Sequence, residues 1–391
     1  MQQNDLTSAT KLLSDLIKCP SITPIDAGVL DVVEAFLTPL GFVCTRIKFE
    51  GGGSYPVDNL FATYGTKGRH LLFGGHCDVV PIGDETHWTH PPFSAHIEDG
   101  VLWGRGATDM KSGVAAFCAA TKTAIENGDT NNGIISLAIT NDEEADAING
   151  TEKILNWAKE QGYKFDFSIV GEPSSNKVLG DRIKIGRRGS FDGLITVKGK
   201  QGHIAYPEKC KNPIPVLAAI ATAITKEPVD SGTEHFQPSS LQISSFDVGN
   251  KASNVIPAEA VLRFNVRHND LWNQETLYDY INKQILSVDN QGCEVIFESP
   301  TRGANCFIFP PSKDVALLDD IIRNQTGNNA PDHSTTGGTS DARFIALHCP
   351  VVECGLVGDH MHAVDERVPL KQVDDLCKIY AKFIKEFFKE G

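Results

Sequence analysis

Residues able to bind cations or move protons recur in short clusters along this chain. Gly74-Gly75-His76-Cys77-Asp78-Val79-Val80-Pro81 sets an imidazole and a carboxylate two residues apart where an apolar run ends. In an extended chain that spacing puts both on one side. A metal-bound histidine commonly gives its other ring N–H to a carboxylate or carbonyl, which fixes the tautomer. His76 therefore suits a ligand, and Asp78 the group that orients it. Gly104-Arg105-Gly106-Ala107-Thr108-Asp109-Met110-Lys111-Ser112-Gly113 is a glycine-rich turn leading from strand to helix. It matches neither G-x-x-x-x-G-K-[ST] nor G-x-G-x-x-G with its later acid, and Asp109 would repel a nucleotide. Two readings of Asp109 stay open: a carboxylate bridging cations, and a helix N-cap.

Thr140-Asn141-Asp142-Glu143-Glu144 crowds acidic side chains at the end of another apolar run. Such like charges destabilise each other unless cations or protons neutralise them. Gly171-Glu172-Pro173 delivers one more carboxylate, and His360-Met361-His362 follows the last apolar run, 351–356. Five strand ends thus each present a ligand type: His76, Asp109, Glu144, Glu172 and one of His360 or His362. Two imidazoles and three carboxylates without a thiolate suit two ions of zinc or a similar borderline metal, with one carboxylate shared. Glu143 is then left unligated, as a general base beside metal-bound water must be.

The elements that must position these groups follow from periodicity. A helix is expected to open at Thr23-Pro24, with Val29, Val33, Phe36 and Leu40 on one face. Strands are expected at 42–49, 60–64 and 70–75, the last two joined by Gly65-Thr66-Lys67-Gly68 as a hairpin, and a helix at 112–127. The wholly apolar runs 134–139 and 167–170 read as strands buried on both faces. Alternating helix and strand imply an open sheet covered by helices, with ligand sites at strand ends. From 191 to 298 the order becomes β-α-β-β-α-β, with strands at 194–198, 241–248, 260–267 and 294–298 and helices at 213–225 and 273–286. That block reads as a domain inserted into another.

Composition removes several functions. Lys and Arg number 36 against 50 Asp and Glu, a net charge of −14 that makes nucleic acid and anionic membrane surfaces poor partners. Asp5, Asp15 and Lys18 interrupt the first apolar stretch, and no apolar run is long enough for a spanning helix, so the chain reads as cytoplasmic. Ten cysteines without a C-x-x-C pair read as reduced thiols, and Cys77 as a core filler.

Taken in order, G-H-x-D-V-V-P, G-R-G-x-x-D-M-K-x-G, D-E-E, G-E-P and the late histidine resemble the zinc-dependent amidohydrolases and exopeptidases of the M20 type along nearly the whole chain. The resemblance implies an α/β zinc-exopeptidase-like catalytic domain, with a mixed central sheet flanked by helices, in residues 1–181 and 296–391. A lid and dimerisation domain would occupy 182–295. It implies His76 and Glu172 on one zinc, Glu144 and His362 on the other, and Asp109 with a water bridging them. Glu143 would be the base, Asp78 the orienter of His76, and a non-proline cis peptide would follow Asp109. Ala363-Val364-Asp365-Glu366 matches the family register and selects His362 over His360. Cobalt is expected to substitute for zinc.

Gly186-Arg187-Arg188-Gly189-Ser190, the segment 199–207, Asn254-Val255-Ile256-Pro257 and the segment 337–344 point within the family to N-succinyl-L,L-2,6-diaminopimelate as substrate. The activity would be amide hydrolysis in lysine and peptidoglycan precursor synthesis. A related deacylase or dipeptidase, such as one acting on acetylornithine, is the alternative. On this resemblance Arg187 and Arg267 would meet substrate carboxylates, with Ser190, Tyr206, Asn254, Gly338 and Thr339 as further contacts. Arg188 and Arg343 would serve there or as structural ion-pair partners. His203 would reach the active site of a partner subunit in a homodimer and donate to the oxyanion.

Overall fold

A computed structural model of the chain describes residues 6–130 and 133–390; residues 1–5, 131–132 and 391 of the expected ranges 1–181 and 296–391 lie outside the described residues. Two compact units are present. The first takes the described residues up to Ile185, Ile308–Ser334 and those from Ser340 onward, and the second takes Gly186–Phe307 and Thr335–Thr339. Residues 296–307 stay with the second unit and 182–185 with the first, against the boundaries 182 and 295 read from sequence; Ala304 and Ser190 exchange backbone hydrogen bonds at 2.8 and 2.9 Å.

The first unit is built on an eight-stranded mixed sheet in the order Val43–Gly51, Ser54–Tyr64, Ile134–Thr140, His70–His76, Phe167–Val170, Val351–Glu353, Arg182–Lys184, Asp332–Ser334. Ile134–Thr140, His70–His76 and Phe167–Val170 run parallel. Every residue of His70–His76 is buried, as a parallel strand covered on both faces requires. On one face lie the helices Ser8–Ile17, Lys111–Glu126 and Leu370–Phe387, where Phe73 stacks on Phe117 at 4.2 Å and Tyr380 meets both edge-on. On the other lies Thr151–Glu160, whose Trp157 meets Phe61 at 5.4 Å. With both faces covered, the acidic groups that follow these strands stand at their ends, while small polar side chains such as Ser136 are bonded inside the sheet.

One close approach sets the site. A Cβ on Gly113 would stand 2.3 Å from the Gly171 carbonyl oxygen, so only glycine lets the helix Lys111–Glu126 start against the end of Phe167–Val170. That contact brings the Asp109 turn beside Glu172. The peptide between Asp109 and Met110 is cis.

Two local expectations are corrected. The first helix of the 23–40 region is Val29–Leu37, not a helix opening at Thr23-Pro24. Thr23 does not cap it: its hydroxyl donates to Asp78 Oδ2 at 2.7 Å, while Asp26 accepts from the Gly28 and Leu30 amides at 3.0 and 3.2 Å. The expected hairpin between 60–64 and 70–75 is absent, because Ile134–Thr140 lies between the two, antiparallel to the first and parallel to the second. The hairpin instead joins Val43–Gly51 to Ser54–Tyr64 through Gly52 and Gly53, at φ of 68° and 79°. Pro56, Asp58 and Asn59 hide the start of that second strand from its composition.

The second unit carries a four-stranded antiparallel sheet, ordered Ser240–Asp247, Glu259–His268, Gly189–Lys198, Glu294–Glu298, with helices Pro213–Thr225 and Gln274–Leu286. Phe191, Ile195, Leu217, Ile220, Leu262, Phe264, Leu277 and Ile281 form its own core. Gly202–His203 pairs with Val255–Ile256 as a separate short ribbon. All ten cysteines are free. Burial pushes the Cys77 thiol up to about 12, which keeps it protonated and unreactive. Among the described residues no helix is long and apolar enough to cross a membrane.

Candidate metal centre

His76 ends its strand with a fixed ring. Its Nδ1 lies 2.9 Å from the Asp78 carbonyl oxygen, which can only accept, so Nδ1 carries the hydrogen and Nε2 presents a lone pair. The Asp78 carboxylate stands further off, 3.5 Å from Nδ1. It accepts from the Glu143 and Glu144 backbone amides at 3.3 and 3.1 Å and from Thr23. Asp78 thus orients the histidine through its backbone and holds the acidic loop through its side chain.

The glycine-rich turn is organised by a group the sequence did not single out. The buried Glu366 carboxylate accepts from the amides of Gly106, Thr108 and Asp109 at 2.9, 2.8 and 3.1 Å and pairs with Arg105 at 2.9 Å. The turn does cradle an anion, one from its own chain. The available signal was an acid in the register of the late histidine motif. Two more buried groups were missed. Lys111 donates to the Leu16 and Cys19 carbonyls at 3.0 Å each, with burial lowering its pKa to about 8. Burial raises Asp341 to about 6, with the Arg343 charge opposing it.

The ligand-type side chains converge. His76 Nε2 is 3.3 Å from Asp109 Oδ1, 3.5 Å from Glu172 Oε1 and 3.9 Å from Glu143 Oε2. His362 Nε2 is 3.3 Å from Asp109 Oδ2 and 3.1 Å from Glu144 Oε1. Each oxygen of Asp109 therefore faces a different imidazole. Donors about 2.0–2.2 Å from a tetrahedral ion sit about 3.4 Å apart, close to these separations. His76 Nε2 and Asp109 Oδ1 are buried and lack a hydrogen-bond partner, as atoms meant for a cation would. His76 with Asp109 and Glu144, and His76 with Glu143 and Glu172, each gather one ligand atom per residue within 4.8 Å. No contact joins His360 to these groups among the described interactions, whereas His362 reaches inward with a left-handed backbone, φ 61°.

Protonation follows the crowding. Burial pushes the Glu143 carboxyl well above its ordinary range, and the Glu172 charge adds to this. Burial and then Asp109 raise Glu172 to about 8. For Asp109, burial works against the charge, but His362 and His76 outweigh it and hold the carboxyl low. Asp109 and Glu144 lift His362 to about 10. The cluster therefore retains protons that a divalent cation would displace.

The residues expected to meet substrate all belong to the second unit. Arg187 donates to the Gly338 carbonyl at 3.2 Å, and Thr339 follows in the same segment. Ser190 pairs in register with Arg267, and its hydroxyl accepts from Asn265 at 2.9 Å. Burial, then the Arg267 charge, lowers the Arg188 pKa, so two guanidinium groups share this region. Arg343, in the first unit, lies over the Phe344 ring at 4.4 Å. The exposed His203 and Tyr206 rings meet edge-on at 5.7 Å, and the Asn254 carbonyl accepts from Ile204 at 3.1 Å. His203 Nδ1 accepts from the Ala205 amide at 3.1 Å, so a neutral His203 carries its hydrogen on Nε2.

A mixed sheet with a cluster of imidazoles and carboxylates at its strand ends is the architecture of a metal-dependent hydrolase, and the chain belongs to Peptidase family M20/M25/M40, which matches residues 72–386. Relatives named succinyl-diaminopimelate desuccinylase span it nearly end to end. The protein of Rhodopseudomonas palustris (strain HaA2) is 46% identical over 387 residues, 98% of this chain and 99% of its own. That of Beijerinckia indica subsp. indica is 48% identical over 381 residues, 97% and 99% respectively. An M20 family metallo-carboxypeptidase from Sulfolobus solfataricus shares the fold with a TM-score of 0.79 at 17% identity, covering 98% of this chain and 100% of its own. A Bacillus subtilis protein described as a dinuclear metal binding peptidase of the M20 family gives 0.69 at 12% identity, covering 97% and 98%.

Proposed function

We propose that the chain hydrolyses the amide bond of N-succinyl-L,L-2,6-diaminopimelate to succinate and L,L-2,6-diaminopimelate, in the cytoplasmic supply of lysine and cell-wall precursors. The observation that carries this reading is Asp109, with one carboxylate oxygen toward each imidazole and Glu172 and Glu144 on either side. His76 and Glu172 would hold one zinc or cobalt ion, Glu144 and His362 the other, with Asp109 shared. Bound there, the ions would polarise the succinyl carbonyl and acidify the attacking water.

Glu143 takes the proton of that water and returns it to the departing amine. The same carboxyl thus carries the proton between the two steps. Asp78 fixes the Glu143 backbone by accepting from its amide at 3.3 Å. Arg187 and Arg267 pair with substrate carboxylates, and Ser190, Tyr206, Asn254, Gly338 and Thr339 fix the succinyl group and backbone. His203, supplied by the second unit of another copy acting as a lid, donates its Nε2–H to the developing oxyanion.

The test is succinate release from synthetic substrate, with and without chelator, by wild type and Glu143→Ala. Wild type is expected to lose activity on chelation and regain it with zinc or cobalt. The variant is expected to fall about 10²- to 10⁴-fold while keeping its metal. Undiminished turnover by Glu143→Ala would overturn the assignment of the base. Faster cleavage of acetyl or dipeptide substrates would move the chain to a related deacylase or dipeptidase.

A further inference from the structure

We propose that Arg105 and Glu366 act together as positioning residues for one half of the centre, the half formed by Glu144 and His362. The inference rests on the two-ion reading given above and says which of the two ions depends on groups that never touch it.

The two imidazoles are held by unequal means. His76 ends a strand that is buried at every position, and its ring is bonded to the Asp78 carbonyl at 2.9 Å. His362 lies in the loop beyond Val351–Glu353, half exposed, with a left-handed backbone at φ 61°. Asp365, in the same stretch, is left-handed too, at φ 60°. Residues other than glycine keep such a backbone only where neighbouring groups over-determine it. The bonds that hold this stretch therefore decide where the second imidazole stands.

Several of those bonds converge on one buried ion pair. Arg105 Nη1 donates to the carbonyl of Ala363, next to His362, at 3.0 Å and to Glu366 at 2.9 Å, while Nη2 donates to the Pro81 carbonyl at 3.3 Å. One planar guanidinium thus ties the loop of His362 to the segment that follows His76 and Asp78. On the other side of the pair, one Glu366 oxygen takes the Gly106 amide and the other takes those of Thr108 and Asp109. The backbone repeats the connection: the Glu366 carbonyl accepts from the Gly104 amide at 2.8 Å, and the Thr108 hydroxyl donates to the Arg367 carbonyl at 3.1 Å. Both side chains of the pair are buried, so a bond lost here leaves its partner unsatisfied. Asp109 and His362 are therefore fixed to each other through Arg105 and Glu366, whereas His76 and Glu172 rest on the ends of the sheet strands.

The experiment uses full-length protein stripped with chelator and titrated with Co²⁺. Visible absorption gives the affinity of each ion and elemental analysis their number. Arg105→Lys offers one ammonium where a carboxylate and two carbonyls need a fork, and Glu366→Gln turns an amide donor toward other donors. Each is expected to bind one ion about 10- to 100-fold more weakly than wild type and to keep its affinity for the other. Added to His362→Ala, which removes the dependent half, Arg105→Lys is expected to leave the remaining ion unchanged. Arg69→Met, which breaks the Arg69–Asp314 pair made by residues outside the centre, is expected to lower the melting temperature and alter neither affinity. Wild-type affinities in Arg105→Lys and Glu366→Gln would overturn the proposal, as would equal weakening of both ions or the same weakening in Arg69→Met. Fewer than two ions in wild type would overturn the two-ion reading and this proposal with it, so the wild-type count separates the two failures.

Discussion

In the first unit the strand His70–His76 is buried at every position, whereas in the second Gly189–Lys198 alternates buried and half-buried residues down to its last. Parallel strands roofed on both sides have no free face, so their chemistry gathers at the ends, where His76, Glu144 and Glu172 stand. An antiparallel sheet with helices on one side keeps an outer face, and there Ser190 and Arg267 sit side by side on neighbouring strands. The lesson is that one architecture concentrates ligands at points, while the other spreads recognition over a surface. Substitutions should therefore be severe along the first kind of strand and graded along the second.

The largest effect expected after loss of Glu143 is at a strand-end ligand. His362→Ala should weaken metal binding by more than about 100-fold, and titration of stripped protein with zinc would show it. Because His362 is half exposed, the melting temperature of the metal-free variant should stay close to wild type. A drop of tens of degrees would make His362 a structural residue. Next is Phe73→Ala, which removes a ring stacked in the first core and should cost about 3–5 kcal/mol in denaturant unfolding.

A pH effect comes third. Burial holds native His70 at about 4, below the 6.5 of an unexposed-to-structure side chain, so the unfolded chain binds the extra proton. Its contribution is complete above pH 6.5 and is lost as pH falls toward about 4, on the order of 3 kcal/mol in the limit. His70→Gln, which can keep a polar contact to Ser136, should flatten that part of the stability profile. The smallest change should come from the outer face of the second sheet: Gln242→Thr, at an exposed strand position, should stay within about 0.5 kcal/mol of wild type. A loss as large as that of Phe73→Ala would erase the contrast between the two sheets.

How much could be read from the sequence tracks the same contrast. The apolar runs at Ile134–Thr140 and Phe167–Val170 announce buried strands, and each is followed at once by acids whose only economical place is a strand end. His76, Glu144 and Glu172 are therefore legible as strand-end groups, whereas Asp109 as a bridge and His362 over His360 follow only from the family resemblance; the structure brings the five side chains together. What escaped depended on distant partners. Glu366 reads as one more acid until its carboxylate is seen among the amides of Gly106, Thr108 and Asp109. Thr23 has the composition of a helix cap, yet its hydroxyl bonds to Asp78. The misplaced hairpin fails for a similar reason: a turn at 65–68 says that the chain reverses, not which strand fills the gap beside it.

The Glu366 carboxylate has a consequence for synthesis on the ribosome. The turn that presents Asp109 is completed by a side chain more than half the molecule away in sequence, and His362 arrives in that same late stretch. A nascent chain that has emerged only through the second unit has its glycine-rich turn without the internal anion and one imidazole short. The turn and the second imidazole are thus completed only once residues 362–366 have been made.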